Sequence, residues 1–181
     1  MPNEAIITIN RKFSRPPAEM MKPFRNIPTG YVVDVQDRRG AIDCSIKPMF
    51  DFPSIAGPAV TVQTVPDDNL APYLAMDVLR AGDVLVIANG GWTGSSVVGD
   101  LIAGMFKNIG VAAIVTDGAV RDVAGLKKRR LPLALTPEGT TTPVAEITIF
   151  LMLAVLRRLT FADSELRQGR WHINSLRHAG R

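Results

Sequence analysis

The sequence predicts an α/β fold, and three observations carry that reading. Two continuous apolar runs of strand length, Val84–Ala88 and Val111–Thr116, have the composition of strands buried on both faces of a sheet. Between them lie a glycine-rich loop, Asn89-Gly90-Gly91-Trp92-Thr93-Gly94, and a helical stretch to about Asn108 that Gly110 would end. Ahead of both, Ala59–Val65 is rich in β-branched residues and follows the turn signal Ala56-Gly57-Pro58. Strand, loop, helix and strand form a βαβ unit, whose crossover should be right-handed.

The remaining elements follow from local signals. Residues 1–26 read as an irregular or partly helical arm, with three prolines, Pro16, Pro17 and Pro23. Tyr31–Val35 is a short candidate strand, and Asp37–Gly40 is turn-like. Asn69 is a suitable N-cap for a helix to about Arg80, with Leu70, Leu74, Val78 and Leu79 toward one side; Ala81-Gly82-Asp83 would stop it. Ser95 or Ser96 would cap the next helix. Pro143–Ala162 reads as one helix, apolar on most sides from Val144 to Leu156, and such a surface needs a partner.

Composition narrows the class. With 46% hydrophobic and 21% charged residues over 181 positions, the chain is globular and of about one domain. A single cysteine, Cys44, excludes an internal disulfide framework and fits a reduced cytoplasmic setting; it reads as a small buried apolar residue. The polar, proline-bearing N-terminus shows no secretory signal. The longest apolar run, Ile147–Leu156, is shorter than the ~20 residues that span a bilayer, so a soluble protein without membrane association is expected.

Charge is unevenly spread. Residues 1–126 carry 11 Lys+Arg against 13 Asp+Glu, a net of −2, whereas residues 127–181 carry 10 against 4, a net of +6. The basic portion opens with Lys127-Lys128-Arg129-Arg130 and includes His172 and His178. With no interleaved aromatics and no nucleic-acid motif, the cluster reads as a solvated charge run, and a nucleic-acid partner is not expected. No histidine lies in residues 1–126, so a Ser-His-Asp triad, a Cys–His pair or His–Zn²⁺ coordination cannot be built there.

The loop at Asn89–Gly94 matches neither the P-loop nor the dinucleotide fingerprint. Its small residues either admit an anion to backbone N–H groups at a helix N-terminus or simply make a tight connection; Trp92 either lines a pocket or packs as a lid. Asp100, early in the following helix, and Arg121-Asp122, just beyond the next strand, form a sharper constellation. In parallel α/β architecture the loops leaving successive strands open at one sheet edge, so these residues can converge. Arg captures a carboxylate or the paired oxygens of a keto acid. A lone Asp with several waters suits Mg²⁺. The alternative is that Arg121 and Asp122 join surface ion pairs while Asp100 complements the helix dipole.

Five blocks occur in order: Ala56-Gly57-Pro58-Ala59-Val60-Thr61-Val62, Asp68-Asn69-Leu70, Ala81-Gly82-Asp83-Val84-Leu85-Val86, Gly99-Asp100-Leu101-Ile102-Ala103 and Asp117-Gly118-Ala119-Val120-Arg121-Asp122. Together they resemble the RraA-like family, which includes class II 4-hydroxy-4-methyl-2-oxoglutarate aldolases and the regulator of ribonuclease E activity. The resemblance covers roughly residues 25–126. It implies an α/β sandwich of the swivelling type, a homotrimer or a dimer of trimers, and active sites near subunit interfaces.

It also implies roles. Asp122 would coordinate a divalent cation, Mg²⁺ or Mn²⁺, and Arg121 would bind the 2-oxo acid. Backbone amides over Gly99, Asp100, Leu101 and Ile102 would hold the pyruvyl carboxylate, with Asp100 positioning a water for proton transfer. The implied reaction is a retro-aldol cleavage that releases pyruvate, with oxaloacetate decarboxylation as a side activity. The regulatory branch, a non-catalytic binder of a ribonuclease or another protein, typically lacks the metal Asp, so Asp122 favours the enzyme branch. Gly125 departs from the pattern, standing where many aldolase-branch members carry an acid.

A second resemblance starts further on. Thr136–Glu146, Leu151–Arg158 and Leu166–Trp171 are similar to D-isomer 2-hydroxyacid dehydrogenases, in the stretch that normally precedes the dinucleotide loop. No such loop follows, so a dehydrogenase activity is not expected. The expected organisation is therefore an incomplete, C-terminally truncated RraA-like aldolase domain over 1–126, lacking further strands. A basic, mostly helical foreign segment, a dehydrogenase fragment, would occupy 127–181.

Overall fold

A computed structural model describes residues 7–136 and 141–170, with side chains of the latter stretch from Glu146 onward. His172, His178 and Trp171 lie outside the described residues, as do Pro137–Thr140 of the second resemblance. The chain divides into two compact units, Met1–Thr140 and Thr141–Arg181.

The first unit opens with α1 (Ala18–Met21), α2 (Thr29–Asp34), β1 (Lys47–Pro48), β2 (Ala59–Gln63), α3 (Leu70–Leu74) and β3 (Val84–Ala88). It continues with β4 (Ser96–Val98), α4 (Asp100–Ile109), β5 (Ala113–Thr116), β6 (Ala119–Val120), α5 (Val123–Arg129) and β7 (Leu133–Leu135). The main sheet has the order β1-β7-β5-β3-β2. Its strands are parallel except β1, which closes one edge antiparallel to β7. Register aligns Val60 with Leu85, Leu85 with Ile114 and Ile114 with Leu133. All four are buried, which makes one apolar row across four strands. This is the mixed α/β architecture the sequence predicts.

The α4 helix covers the core with Ile102, Ala103 and Phe106, at 3%, 0% and 0% exposure, while Leu101 and Met105 face outward. That one-sided burial is what the 3.6-residue period requires. Gly110 adopts φ +91 and ends the helix; its N–H reaches Lys107 O and the Val111 N–H reaches Phe106 O. A residue with a Cβ is strained in that conformation, hence glycine.

Several elements differ from the sequence reading. Tyr31–Val35 is not a strand: Thr29–Asp34 is helical, with the Tyr31 N–H on Pro28 O, and Tyr31 and Val35 are exposed. A β-branched run takes strand form only where a neighbouring strand pairs with it. The helix expected to reach Arg80 ends at Leu74 and tightens into a 3₁₀ turn over Ala75–Asp77. The buried Asp83 carboxylate accepts the Arg80 N–H at 2.7 Å and draws the chain out of helical geometry. Ser95 and Ser96 do not cap a helix; Ser96–Val98 is a strand, and α4 starts only at Asp100, with Gly99 at its N-cap. Cys44 is exposed, not buried. Beyond Leu126 the unit gains β7, because Leu133 and Leu135 find a buried slot beside β5.

The N-terminal arm is tied down by charge. Arg15 donates through Nε and Nη2 to the two Asp83 oxygens, both at 2.8 Å, and through Nη2 to Val78 O at 2.6 Å. Asp83 is 1% exposed, so the guanidinium is the countercharge that allows its burial. The hydrogen bond to Asp83 raises the Arg15 pKa further above its ordinary value.

The second unit contains α6 (Thr141–Leu156) and α7 (Leu159–Arg167) in place of one helix over Pro143–Ala162. The break falls at Arg158, which adopts φ +51, outside the helical region. Ile147, Ile149, Phe150 and Leu151 on α6 are exposed. Arg167 pairs with Asp163 at 2.9 Å and Arg170 with Glu165 at 2.6 Å. Among the described residues no helix is long and apolar enough to cross a membrane.

Candidate functional site

A second, two-stranded sheet places the site. The β4 and β6 strands run parallel, with Ser96 opposite Ala119 and Val98 opposite Val120, and a register irregularity between them. Val97, Val98, Ala119 and Val120 are at most 2% exposed, so both strands are anchored in the core. The Arg121 N–H continues the ladder to Val98 O at 3.0 Å. Parallel strands leave a sheet at the same end, so Gly99-Asp100 and Arg121-Asp122 emerge side by side.

Gly99 caps α4 in an extended conformation, φ −118, that any residue adopts. Its requirement is space: a Cβ there would lie 2.8 Å from Asp122 Oδ2 and 3.0 Å from Arg121 Nε. Asp122 sits at φ 60, ψ 42, in the left-handed region that Asp tolerates better than most residues. Although it stands at the N-cap of α5, its carboxylate makes no capping bond. Oδ2 turns instead to the Asp100 N–H at 3.4 Å and to Arg121 Nε at 3.6 Å. Both contacts are long, and the side chains of Arg121 and Asp122 are 70% and 49% exposed, which leaves them open to a ligand.

Asp100 is held differently. Its Oδ2 accepts from Arg129 Nη2 at 3.3 Å, and its Cβ rests against α5 at Gly125, where an added Cβ would come within 2.7 Å. The backbone N–H groups of Asp100, Leu101 and Ile102 belong to the first turn of α4, which has no intrahelical acceptors for them. The side chain of Leu101 is 70% exposed, whereas Ile102, 3% exposed, roots this turn in the core. Thus Gly99, Asp100, Arg121 and Asp122 meet at one place, with the Leu101 and Ile102 amides beside them.

The glycine-rich loop has a structural explanation. Asp117, at the end of β5, accepts the Asn89 N–H at 2.6 Å and the Gly91 N–H at 3.0 Å. Gly90 and Gly91 lie at φ 64 and 69, which lets the chain curl around that carboxylate. Of the two readings of this loop, an anion site or a tight connection, the second fits: an internal carboxylate occupies the Asn89 and Gly91 donors, and the next helix starts only at Asp100. Trp92 lies across Gly94 and donates Nε1 to Asp67 Oδ1 at 3.3 Å.

Two residues of this region escape sequence reading. Asp117 is visible only as part of a block, and Arg129 only as one member of a basic run. The signal for Arg129 was Gly104, a glycine inside a helix, where packing against a neighbouring side chain is the common reason.

Comparison with known proteins places the chain in a family and a fold. The profile of the RraA-like family, described as Aldolase/RraA, matches residues 29–151. A protein of Halalkalibacterium halodurans provisionally named 4-hydroxy-4-methyl-2-oxoglutarate aldolase is 36% identical over 130 residues, 72% of this chain and 61% of that one. The chain thus spans less than two thirds of that relative. The D-3-phosphoglycerate dehydrogenase of Methanocaldococcus jannaschii is 31% identical over 98 residues, 53% of this chain but 18% of that enzyme. Among solved structures, Streptomyces coelicolor RraAS2, described as an unusual member of the RNase ES inhibitor RraA protein family, superposes with a TM-score of 0.63 at 26% identity. That match covers 72% of this chain and 67% of RraAS2.

Proposed function

This chain belongs to the RraA-like family, and on that premise we propose that it is a divalent-metal-dependent lyase releasing pyruvate from a 4-carboxy-2-oxo acid. The observation that carries the proposal is the meeting of the Asp122 carboxylate, the Arg121 guanidinium and the first-turn amides of α4, of which the Asp100 N–H already faces Asp122. The Asp122 carboxylate fits a hard cation: it is an oxygen donor, half exposed, and only weakly engaged by its neighbours. One carboxylate with an open face suits an ion that keeps most of its water, such as Mg²⁺ or Mn²⁺. When bound there, the cation supplies Lewis-acid stabilisation of negative charge on the pyruvyl unit.

The chain's own groups account for the rest. Arg121 binds the oxo acid through its oxygens and stabilises the charge that develops on C–C cleavage. The amides over Gly99–Ile102 hold the substrate carboxylate at the positive end of α4. In the retro-aldol step the C4 hydroxyl loses its proton, the C3–C4 bond breaks, and its electron pair becomes the pyruvate enolate. Protonation of that enolate at C3 gives pyruvate. Asp100 holds the water that relays the proton. Oxaloacetate decarboxylation leads to the same enolate and is an expected side activity. The cytoplasm and a homotrimeric or hexameric assembly complete the reading.

One observation favours a second reading, a non-catalytic regulator that binds a ribonuclease or other protein. Gly125 brings Asp100 so close to α5 that no acid fits at that place without displacing it. A coupled pyruvate assay on 4-hydroxy-4-methyl-2-oxoglutarate and on oxaloacetate, with Mg²⁺ and with EDTA, separates the two. Metal-dependent release supports the lyase; its absence with both substrates leaves the regulator.

A further inference from the structure

We propose that Arg129 is a positioning residue for Asp100, an inference that rests on the lyase reading for its kinetic consequence and on geometry for the rest. Arg129 lies in the last turn of α5, in a run that composition alone marks as solvated charge. Its side chain does not extend into solvent: it is 33% exposed and crosses α4 at Gly104 to reach Asp100 Oδ2 at 3.3 Å. Gly104 makes that path possible, since a Cβ there would lie 2.5 Å from Arg129 Nη1 and 2.7 Å from its Cζ. The end of α5 is fastened to the same helix, because Lys107 Nζ donates to Arg129 O.

Asp100 is therefore fixed from two sides, by Gly125 against its Cβ and by Arg129 on one oxygen. Among the described residues Oδ1 takes no hydrogen bond, and it is the oxygen left to hold a water. A carboxylate free to rotate would present that water in several orientations; the guanidinium selects one. Misplacement of a proton-relaying group lowers turnover and leaves binding of the oxo acid and the cation, made by other groups, largely unchanged.

The test uses Arg129→Ala, Arg129→Lys and Gly104→Ala in the full chain. The alanine at 104 is a better helix former than glycine and evicts only the far end of a flexible side chain. Arg129→Ala and Gly104→Ala should each lower kcat about 10-fold or more, with KM and Mg²⁺ affinity within about 2-fold of wild type. Arg129→Lys should recover part of the loss, and Gly104→Ala should not lower the melting temperature. Unchanged kcat in both alanine variants overturns the proposal. Crystal structures of wild type and Arg129→Ala read the same point without turnover: the Asp100 carboxylate should lose its single orientation, and one retained unchanged refutes the role. A wild-type chain that releases no pyruvate sinks the lyase reading and the kinetic arm with it, whereas Asp100 order still decides the positioning claim.

Discussion

The backbone N–H of Asp100 points at Oδ2 of Asp122 across 3.4 Å, although twenty-two positions separate them in the chain. The contact exists because β4 and β6 leave one small sheet in parallel and because Gly99 has no side chain to hold them apart. It joins the carboxylate proposed to bind the cation to the helix terminus proposed to receive the substrate.

Asp122 combines charge with an unusual backbone, and two substitutions separate these. Asp122→Asn keeps a residue that tolerates the left-handed region and should leave the melting temperature close to wild type. Asp122→Ala adds a backbone cost of about 1 kcal/mol. Both should lower metal-dependent pyruvate release by about 100-fold or more. Thermal melts beside steady-state assays check this; a full-activity Asp122→Asn at saturating Mg²⁺ contradicts the assigned role.

Gly99→Ala should act through space. The new Cβ would meet both Asp122 Oδ2 and Arg121 Nε, and the helix terminus must part from the two side chains. A displacement of that kind is expected to lower kcat/KM by about 100-fold with little loss of fold stability. Comparison of kinetics with denaturant midpoints distinguishes this from unfolding.

At Gly125 the neighbour cannot yield so easily. An alanine would press on Asp100 Cβ at 2.7 Å, an atom fixed by its own backbone. The helix-propensity gain of about 1 kcal/mol should therefore be outweighed by overpacking of about 1–3 kcal/mol, giving a net drop in melting temperature. A raised melting temperature for Gly125→Ala would show that α4 and α5 have slack between them.

Arg15→Ala should be among the most destabilising changes outside the core. It strips the buried Asp83 of its countercharge and leaves only the Arg80 N–H on that side chain among the described residues. The expected cost is about 3 kcal/mol, read from urea unfolding. Arg11→Ala, whose partner Asp77 is half exposed, should cost less than about 1 kcal/mol.

How far the sequence discloses these features depends on how much chain each one uses. Val84–Ala88 and Ala113–Thr116 are continuous apolar runs, and the helix that ends at Gly110 has both a period and a stop, so the βαβ unit is legible. The β4–β6 sheet is not: strands of three and two residues carry no measurable alternation, and their pairing is non-local. Convergence of Asp100 with Arg121-Asp122 was expected from the edge of the main sheet, whereas the small sheet delivers it. Arg129 was hidden because a basic run gives no sign of which member turns inward. The Tyr31–Val35 helix shows the reverse case, in which strand-forming residues have no sheet to join.

The most direct measurement is pyruvate release by the purified full chain from 4-hydroxy-4-methyl-2-oxoglutarate, followed with Mg²⁺, after EDTA, and after Mg²⁺ is restored. Wild-type turnover should vanish with chelation and return with the metal, and Asp122→Asn should stay about 100-fold or more below it when Mg²⁺ is present. Turnover that survives EDTA, or that Asp122→Asn retains, would contradict the metal-dependent lyase reading.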